Sequence, residues 1–436
     1  MININNNLLN FLRVLIILIP LSLTTGPFLP DLFLSLTSII FLFIIFRNKL
    51  WEYFDNIYFK FFLTLNIYLV ISSLISIDPM SSLKTSIFYF RFIIFALATW
   101  FVLKNSSIKY QRNYTFIIVF FFIIICLDAF FQYFSGYNAL GFKKSDFFRV
   151  SGIFQDELVL GSYLSRLFIF IYSLFLFFFT FKKNFNWFLC ILFLCLILCT
   201  VIISGERTSF GLIMMSIFSL ILFVKLNKGT FLSLIILIPV LLVTFATSDK
   251  KIAYRMFVEP LQQSGQISNN LLNKYEDLKK NYTVEKKVIF SREHTLHYIV
   301  AYRVFLDNYI FGAGPRMFRQ VCSFPGYVEG TCNEDTCDSC STHPHNVLAQ
   351  ILSETGILGL LFYIVIIVYL LRKIFRLFRK IEINNTDIIK FGCLSVFLIN
   401  LFPLIPSGNI FNNWISIIFY IPLGFYLYLE DQKRNL

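Results

Sequence analysis

The feature that most constrains this chain is an apolar run of about twenty residues, which recurs along almost the whole sequence. Hydrophobic residues make up 57% of the chain and charged residues 14%, whereas a typical soluble domain has about 25% charged residues. A helix satisfies its own backbone hydrogen bonds, so apolar runs of this length cross a bilayer as helices. The sequence therefore predicts an all-α integral membrane protein.

Twelve such runs predict about twelve transmembrane helices. The predicted spans are 8–24, 31–46, 57–76, 85–103, 114–134, 160–181, 187–204, 209–225, 230–247, 346–371, 387–404 and 411–429. Lysine and arginine are concentrated in alternate connections, such as 104–112 and 372–380, which the positive-inside rule assigns to the cytoplasm. Both termini are then cytoplasmic, and this rule explains the net charge of +13 without a nucleic acid partner.

The predicted topology divides the chain into three regions. Residues 1–247 hold nine helices and an outer loop at 135–159. Residues 248–345 form one large loop domain on the outer side, and residues 346–436 hold the last three helices and a cytoplasmic tail. The cytoplasmic connections are too short to form a nucleotide-binding domain, and the chain has no glycine-rich phosphate loop.

The large outer loop feeds directly into the tenth predicted span. Within it we expect amphipathic helices at 271–280 and 295–308, the second followed by Gly312-Ala-Gly314-Pro. It also holds the four histidines of the chain, which are His294, His297, His343 and His345. A histidine with a pKa near 6.5 accepts a proton from a hydroxyl at neutral pH, so a histidine at the mouth of a span can activate an acceptor hydroxyl. For His345, a structural role beside a helix cap, without chemistry, stays open as an equal alternative.

Arginines are predicted at the same outer level of the membrane. Arg149, Arg207 and Arg292 lie in outer connections, and Arg91 lies inside the fourth span. The guanidinium group matches phosphate oxygens, so the set suggests a site for a phosphorylated lipid headgroup. Simpler interpretations stay open: Arg207 extending to the headgroups, Arg149 and Arg292 as solvated charges, and Arg91 paired with Asp128.

Other residues invite structural interpretations. Asn346 has the residue type of a helix cap, and Gly356 and Gly359 are spaced to let another helix approach closely. Four outer cysteines predict two disulfides of undetermined connectivity. These cysteines are Cys322, Cys332, Cys337 and Cys340. A zinc site that combines Cys332, Cys337 and Cys340 with His343 and His345 is the less favoured alternative, because the spacing is not a standard zinc signature.

Several of these motifs together resemble a known family. His345-Asn346, nine residues, Gly356, two residues and Gly359 resemble the signature of the O-antigen ligase and polymerase superfamily of bacterial inner membranes. The elements Ser204–Arg207, Ser291-Arg292, Asn308–Pro315 and Arg149–Phe154 resemble further parts of the family pattern. One departure is Phe362, where the family often has Gly, Thr or Tyr.

The resemblance implies a GT-C-like membrane glycosyltransferase that needs no metal or other cofactor. Its donor is a glycan on undecaprenyl pyrophosphate, and its acceptor is a sugar hydroxyl of lipid A–core, bound within the membrane lipid at the periplasmic face. By family position His345 is the general base, and Arg207 and Arg292 hold the pyrophosphate. We assign Arg149, Arg91 and Asn346 to substrate binding. Structural roles go to four glycines, namely Gly312, Gly314, Gly356 and Gly359.

Three alternatives remain at this stage. A polysaccharide polymerase or a protein O-oligosaccharyltransferase of the same superfamily uses the same type of site with another acceptor. A multi-span transporter or flippase belongs to a different class. It is disfavoured because the predicted charges lie at one face rather than near the bilayer midplane.

Overall fold

A computed structural model describes residues 6–179, 185–224, 228–266, 272–278, 291–332 and 337–434. Within these ranges the regular secondary structure is helical, and the only strand-like pairings are two isolated bridges. Six helices are long and apolar enough to cross a membrane. The prediction of a helical, multi-pass membrane protein is therefore supported by the fold.

The helices follow the predicted spans closely. The longer ones are α1 (Asn6–Ser22), α2 (Phe28–Asn48), α3 (Ile57–Leu74), α4 (Pro79–Tyr89), α5 (Arg91–Lys104), α6 (Ile108–Ser135), α7 (Leu160–Phe179), α8 (Phe185–Ile203), α9 (Arg207–Phe223), α10 (Lys228–Ser248), α11 (Arg292–Asp307), α12 (Val347–Phe378), α13 (Asn385–Asn400) and α14 (Asn413–Arg434). The six candidate spans are α2, α3, the α4–α5 pair, α6, α7 and α12. The count of twelve spans stays a prediction.

Local sequence explains where several helices begin. The Asn56 side chain accepts a hydrogen bond from the Phe59 amide at 2.9 Å, so it caps α3. Asp78 caps α4 in the same way through the Ser81 amide, and Pro79 occupies the first turn, where it has no amide hydrogen to satisfy. These caps satisfy amide groups that a helix end leaves without an internal partner.

The chain folds into two compact units. The first unit contains Met1–Gln111, Glu293–Ile381 and Asn400–Leu436, and the second contains Arg112–Arg292 and Glu382–Ile399. In the first unit the core centres on α5, which is buried from Phe92 to Leu103 and packs against α14. In the second unit α7 packs against α8 and α9, and it is buried along nearly its whole length.

Three local features differ from the sequence predictions. The fourth span is divided into α4 and α5 at Phe90, and α12 is interrupted at Gly356. By contrast, the helix expected at 295–308 agrees with the prediction and is present as α11. In the helix expected at 271–280, residues 272 and 273 are helical and residues 274–278 form turns, and Tyr275 and Leu278 pack with Tyr254. Residues 271, 279 and 280, together with Lys182, Lys183 and Lys225 of the predicted cytoplasmic connections, lie outside the described ranges.

Candidate functional site

Asn346 fixes the start of α12. Its Oδ1 accepts hydrogen bonds from the Leu348 and Ala349 amides at 2.9 and 3.1 Å, and its Nδ2 donates to the Pro403 carbonyl at 2.8 Å. Asn346 therefore has the capping role that its residue type suggested. The same side chain ties the start of α12 to the segment that precedes α14.

His345 is held in an unusual backbone conformation one residue before this cap. Its φ of 56° lies in the left-handed region, which is uncommon for a residue other than glycine. Its carbonyl accepts from the Ser407 amide at 2.8 Å, and His343 Nε2 lies 3.1 Å from the Ser407 carbonyl. Such a conformation costs about 1–3 kcal/mol and persists only where the surroundings enforce it. The contacts to Pro403 and Ser407 supply that enforcement.

All four histidines of the chain meet around His345. The ring centroid of His343 lies 4.1 Å from that of His345, and those of His297 and His294 lie 5.2 and 5.4 Å away. His294 and His297 are three residues apart on α11, so they present one helix face to the loop that carries His343. The sequence analysis gave His343 a role only in the alternative zinc site, whereas in the structure it lies against the candidate base.

This environment favours the neutral form of His345. Burial lowers the pKa of His345 to about 2, and the neighbouring His343, His294 and His297 act in the same direction. Burial also lowers the pKa of His297. Ser341 Oγ lies 3.0 Å from His345 Nε2, and the tautomer of the ring decides which of the two atoms donates. A neutral imidazole retains the lone pair that a general base needs.

The break in α12 is occupied by the turn at residues 309–314. The carbonyls of Ser353 and Glu354 accept from the Ala313 and Gly314 amides at 2.9 and 3.0 Å. Beyond the break, the Ile357 amide donates to the Tyr309 carbonyl at 2.8 Å. The turn thus takes over hydrogen bonds that an unbroken helix would make internally.

Glycine is needed on both sides of this crossing. Gly356 has φ 62° and ψ −162°, and an added Cβ would lie 2.4 Å from the Ile310 carbonyl oxygen. A Cβ at Gly312 would lie 2.3 Å from the Glu354 carbonyl carbon. The neighbour of Gly356 is thus a turn and not the helix that the spacing suggested. At Gly359 a Cβ would overlap Thr355 Oγ1, so this glycine makes room within its own helix.

Glu354 is a buried carboxylate that sequence reasoning missed. Its oxygens accept from Gln350 Nε2 at 2.8 Å and from the Phe318 amide at 3.1 Å. The sequence did contain an indication that Glu354 matters, because an acidic residue inside a predicted span usually has a partner or a function. Glu354 connects the helix that begins beside His345 to the segment that carries Arg316.

A basic pocket lies in the first unit. This cavity, of about 490 Å³, is lined by four cationic side chains and one carboxylate, which are Lys84, Arg91, Arg316, Arg319 and Asp31. Arg91 Nη2 lies 2.5 Å from Asp31 Oδ1, so its acidic partner is Asp31 and the expected pairing with Asp128 is wrong. Asp128 instead accepts from the Ala139 amide at 2.9 Å.

Arg149 and Glu206 form a buried polar contact in the second unit. Arg149 Nη2 donates to the Leu158 carbonyl at 2.7 Å and lies 3.9 Å from Glu206 Oε1. Glu206 accepts from the Gly161 and Ser162 amides at 2.7 and 3.0 Å. Burial lowers the pKa of Arg149 and raises that of Glu206. Arg149 is therefore not a solvated loop charge.

The two arginines predicted to hold pyrophosphate both stand at helix starts. Arg207 is the first residue of α9, and Arg292 is the first residue of α11. A cation at this end of a helix is opposed by the helix dipole, whereas an anion is favoured there. Arg207 and Arg149 belong to the second unit, as does Arg292 at its end, and His345, Asn346 and Arg91 belong to the first.

Comparison with known families agrees with the motifs. Residues 191–364 match the family model described as O-antigen ligase. Over these residues the chain is similar to the O-antigen ligase family. The match spans Arg207, Arg292 and His345, and it confirms the superfamily that the sequence motifs resemble. Members of this family are membrane glycosyltransferase-like enzymes. No curated protein matches the chain.

The matched residues also include the four cysteines Cys322, Cys332, Cys337 and Cys340. They pair as Cys322–Cys340 and Cys332–Cys337, with sequence separations of 18 and 5 residues. Cys322 packs with Val300 and Val304 of α11, so the first disulfide joins a segment that packs on α11 to the segment that leads to His345. The alternative zinc site would need these sulfurs as free thiolates.

Proposed function

We propose that this protein is a glycosyltransferase that moves a glycan from undecaprenyl pyrophosphate to a sugar hydroxyl of lipid A–core. The observation that carries the proposal is a neutral, enforced His345 at the start of α12, within the residues that match the O-antigen ligase family. An acceptor hydroxyl is a weak nucleophile until a base removes its proton. His345 is unprotonated at neutral pH and so can accept this proton, although its lowered pKa also makes it a weaker base than an ordinary histidine.

In the proposed reaction His345 accepts the proton of the acceptor hydroxyl. The hydroxyl oxygen forms a bond to the anomeric carbon of the donor sugar, and the bond between that carbon and the pyrophosphate oxygen breaks. The electron pair leaves with the pyrophosphate, whose charge is stabilised by Arg207 and Arg292 in the roles that the resemblance implies. General base assistance contributes about 10²–10⁴-fold to such a step.

The proposal includes a topology in the bacterial inner membrane. Twelve spans place residues 248–345 in the periplasm and both termini in the cytoplasm, and a helix lying over each predicted span supports this arrangement. Alkaline phosphatase fused after residue 266 should be active, because it would be exported. The same enzyme fused after residue 380 should be inactive, and the reverse pattern would contradict the topology.

Reconstitution tests the chemistry directly. Purified protein in lipid nanodiscs should transfer glycan from the polyprenyl pyrophosphate donor to lipid A–core with EDTA present. His345→Ala should reduce the rate by about 10²–10⁴-fold while the protein elutes and melts like the wild type. A variant that is folded and fully active would refute His345 as the base, and a requirement for added metal would refute the metal-independent reaction.

The acceptor is tested in cells that lack the protein. Loss of a ligase leaves bare lipid A–core and accumulated lipid-linked polymer on a lipopolysaccharide gel. Core carrying a single repeat would indicate a polymerase, and loss of glycoproteins with intact lipopolysaccharide would indicate a protein O-oligosaccharyltransferase. An unchanged glycan pattern with altered solute transport would favour the transporter class.

A further inference from the structure

The basic pocket of the first unit has two well-defined walls. Ser81, Lys84, Thr85 and Phe88 of α4 form one wall, and their spacing of three and four residues places them on a single helix face. The other wall carries Arg316 and Arg319, which follow the Gly312–Pro315 turn. Arg91 and Asp31 complete the lining.

The second wall is held rigidly against α4. A Cβ at Gly314 would lie 2.4 Å from Ser76 Cβ, and Ser82 Oγ donates to the Pro315 carbonyl at 3.2 Å. Arg316 itself has φ 62°, an uncommon conformation for a side-chain-bearing residue, and the Phe318 amide two residues later donates to the Glu354 carboxylate. Tight packing and a strained backbone therefore aim Arg316 into the pocket.

The pocket carries more positive charge than its own acids balance. Four cations and one carboxylate leave a formal charge of +3, and Asp31 is already paired with Arg91. Within the described part of the chain, no carboxylate lies within 4 Å of the charged nitrogens of Lys84, Arg316 or Arg319. Burial lowers the pKa of Arg316, and the positive charge of Arg319 lowers it further. An anion placed here would relieve that repulsion.

One side of the pocket is apolar and exposed. Met80 and Ile87 of α4 are 68% and 54% exposed, and Phe88, which also lines the pocket, is 62% exposed. Met80 and Ile87 are seven residues apart, so they lie on one helix face. A cationic cavity bordered by an exposed apolar stripe fits a ligand that has both an anionic head and a lipid tail.

We propose that this basic pocket binds the phosphate group of a lipid substrate of the transfer reaction, with Arg316 and Arg319 as its principal ligands. The inference rests on the proposed function for its choice of a phosphorylated lipid. Both the polyprenyl-linked donor and a phosphorylated lipid A acceptor offer this chemistry. Arginine suits it because its planar fork binds two phosphate oxygens at once.

Binding measured without turnover tests the pocket. Purified protein is titrated with polyprenyl phosphate, polyprenol, phosphorylated lipid A, dephosphorylated lipid A and inorganic pyrophosphate. The test variant is Arg316→Gln/Arg319→Gln, and the matched control is Arg372→Gln/Arg376→Gln. The control removes two exposed arginines from the end of α12 in the same unit. Loss of charged hydrogen bonds should weaken binding of a phosphorylated lipid by roughly ten-fold or more in the test variant only.

The outcomes separate the possible ligands. The phosphorylated lipid whose affinity falls in the test variant is the one that the pocket holds. Equal affinity in the test and control variants would overturn the proposal. So would binding of inorganic pyrophosphate without binding of either lipid, because the ligand would then be a free anion. Arg319 is exposed, so Arg319→Glu should fold normally and still lose binding.

This design distinguishes a failure of the lipid-binding proposal from a failure of the glycan-transfer proposal. His345→Ala should keep wild-type affinity for the lipid, because His345 does not line the pocket. Arginine-dependent binding by a protein that transfers no glycan would refute the proposed function and leave the pocket assignment standing. Active transfer together with unchanged lipid binding in the Arg316→Gln/Arg319→Gln variant would refute the pocket assignment and leave the proposed function standing.

Discussion

Gly356→Ala should destabilise the protein and disable transfer, because two effects oppose any side chain at this position. The backbone of Gly356, at φ 62° and ψ −162°, lies in a region that is essentially limited to glycine and costs about 1–3 kcal/mol for other residues. The added Cβ would also lie 2.4 Å from the Ile310 oxygen and 2.7 Å from the Gly312 nitrogen. Both are backbone atoms, so no side-chain rotation relieves the contact.

The alternative to strain is withdrawal of the turn, which is also costly. Withdrawal would break the hydrogen bonds from Ala313, Gly314 and Ile357 that cross the gap in α12. Each such bond contributes about 0.5–1.5 kcal/mol, so breaking the three costs about 1.5–4.5 kcal/mol. Native proteins are stable by only about 5–15 kcal/mol, so this loss is large. A straightened α12 would also displace His345 at its start.

Thermal unfolding in detergent, followed by glycan transfer in nanodiscs, measures both consequences. Gly356→Ala should melt several degrees below the wild type and transfer glycan more slowly. Gly211→Ala is the matched control, because its Cβ would meet nothing within 4 Å and it lies inside α9. That control should be neutral or stabilised by about 0.5–1 kcal/mol. Equal melting of the two variants would refute the need for glycine at the break.

Three further predictions concern the pH dependence of transfer, the pH dependence of stability and the disulfides. Because the pKa of His345 is lowered to about 2, transfer should stay nearly constant from pH 7.5 to 5.5, whereas a histidine with a pKa near 6.5 would lose roughly ten-fold. The unfolded chain protonates His345 below about pH 6.5 while the folded chain does not, so stability should fall as the pH drops below that value. A ten-fold loss of transfer by pH 5.5 would contradict the first expectation, and pH-independent melting would contradict the second. Replacing Cys322 and Cys340 with serine should cost about 3 kcal/mol, against about 2 kcal/mol for Cys332 and Cys337, since the first pair closes the longer loop. Equal losses of melting temperature would contradict a loop-length effect.

Local sequence patterns correctly predicted those features of the fold whose physical cause lies within a short stretch of the chain. Apolar run length predicted where helices lie, since a helix that faces lipid needs a continuous apolar stretch. The residue type of Asn346 predicted its cap, because capping involves amides only two and three residues away. The spacing from His345 to Gly359 predicted the superfamily that the family match confirms.

Contacts between distant segments were not predictable in this way. Arg91 pairs with Asp31, sixty residues earlier, and the choice of that acid over Asp128 depends on which helices are neighbours. The spacing of Gly356 and Gly359 indicated a close approach, but it carried no information about whether a helix or a turn makes it. Both contacts depend on tertiary packing, which cannot be predicted from a short stretch of a single sequence.

Glu354 provides a structural link between the helix that begins beside His345 and the wall of the basic pocket. It lies in the part of α12 between His345 and the break, and its carboxylate accepts from the amide of Phe318, two residues after Arg316. A displacement of Arg316 by a bound phosphate would therefore pull on the same short helix that presents His345. Because Glu354 is fully buried, this link has no competing water to weaken it. Glu354→Gln keeps the shape of the side chain and removes its charge. It should therefore weaken phosphate-lipid binding and transfer together, whereas His345→Ala should affect transfer alone.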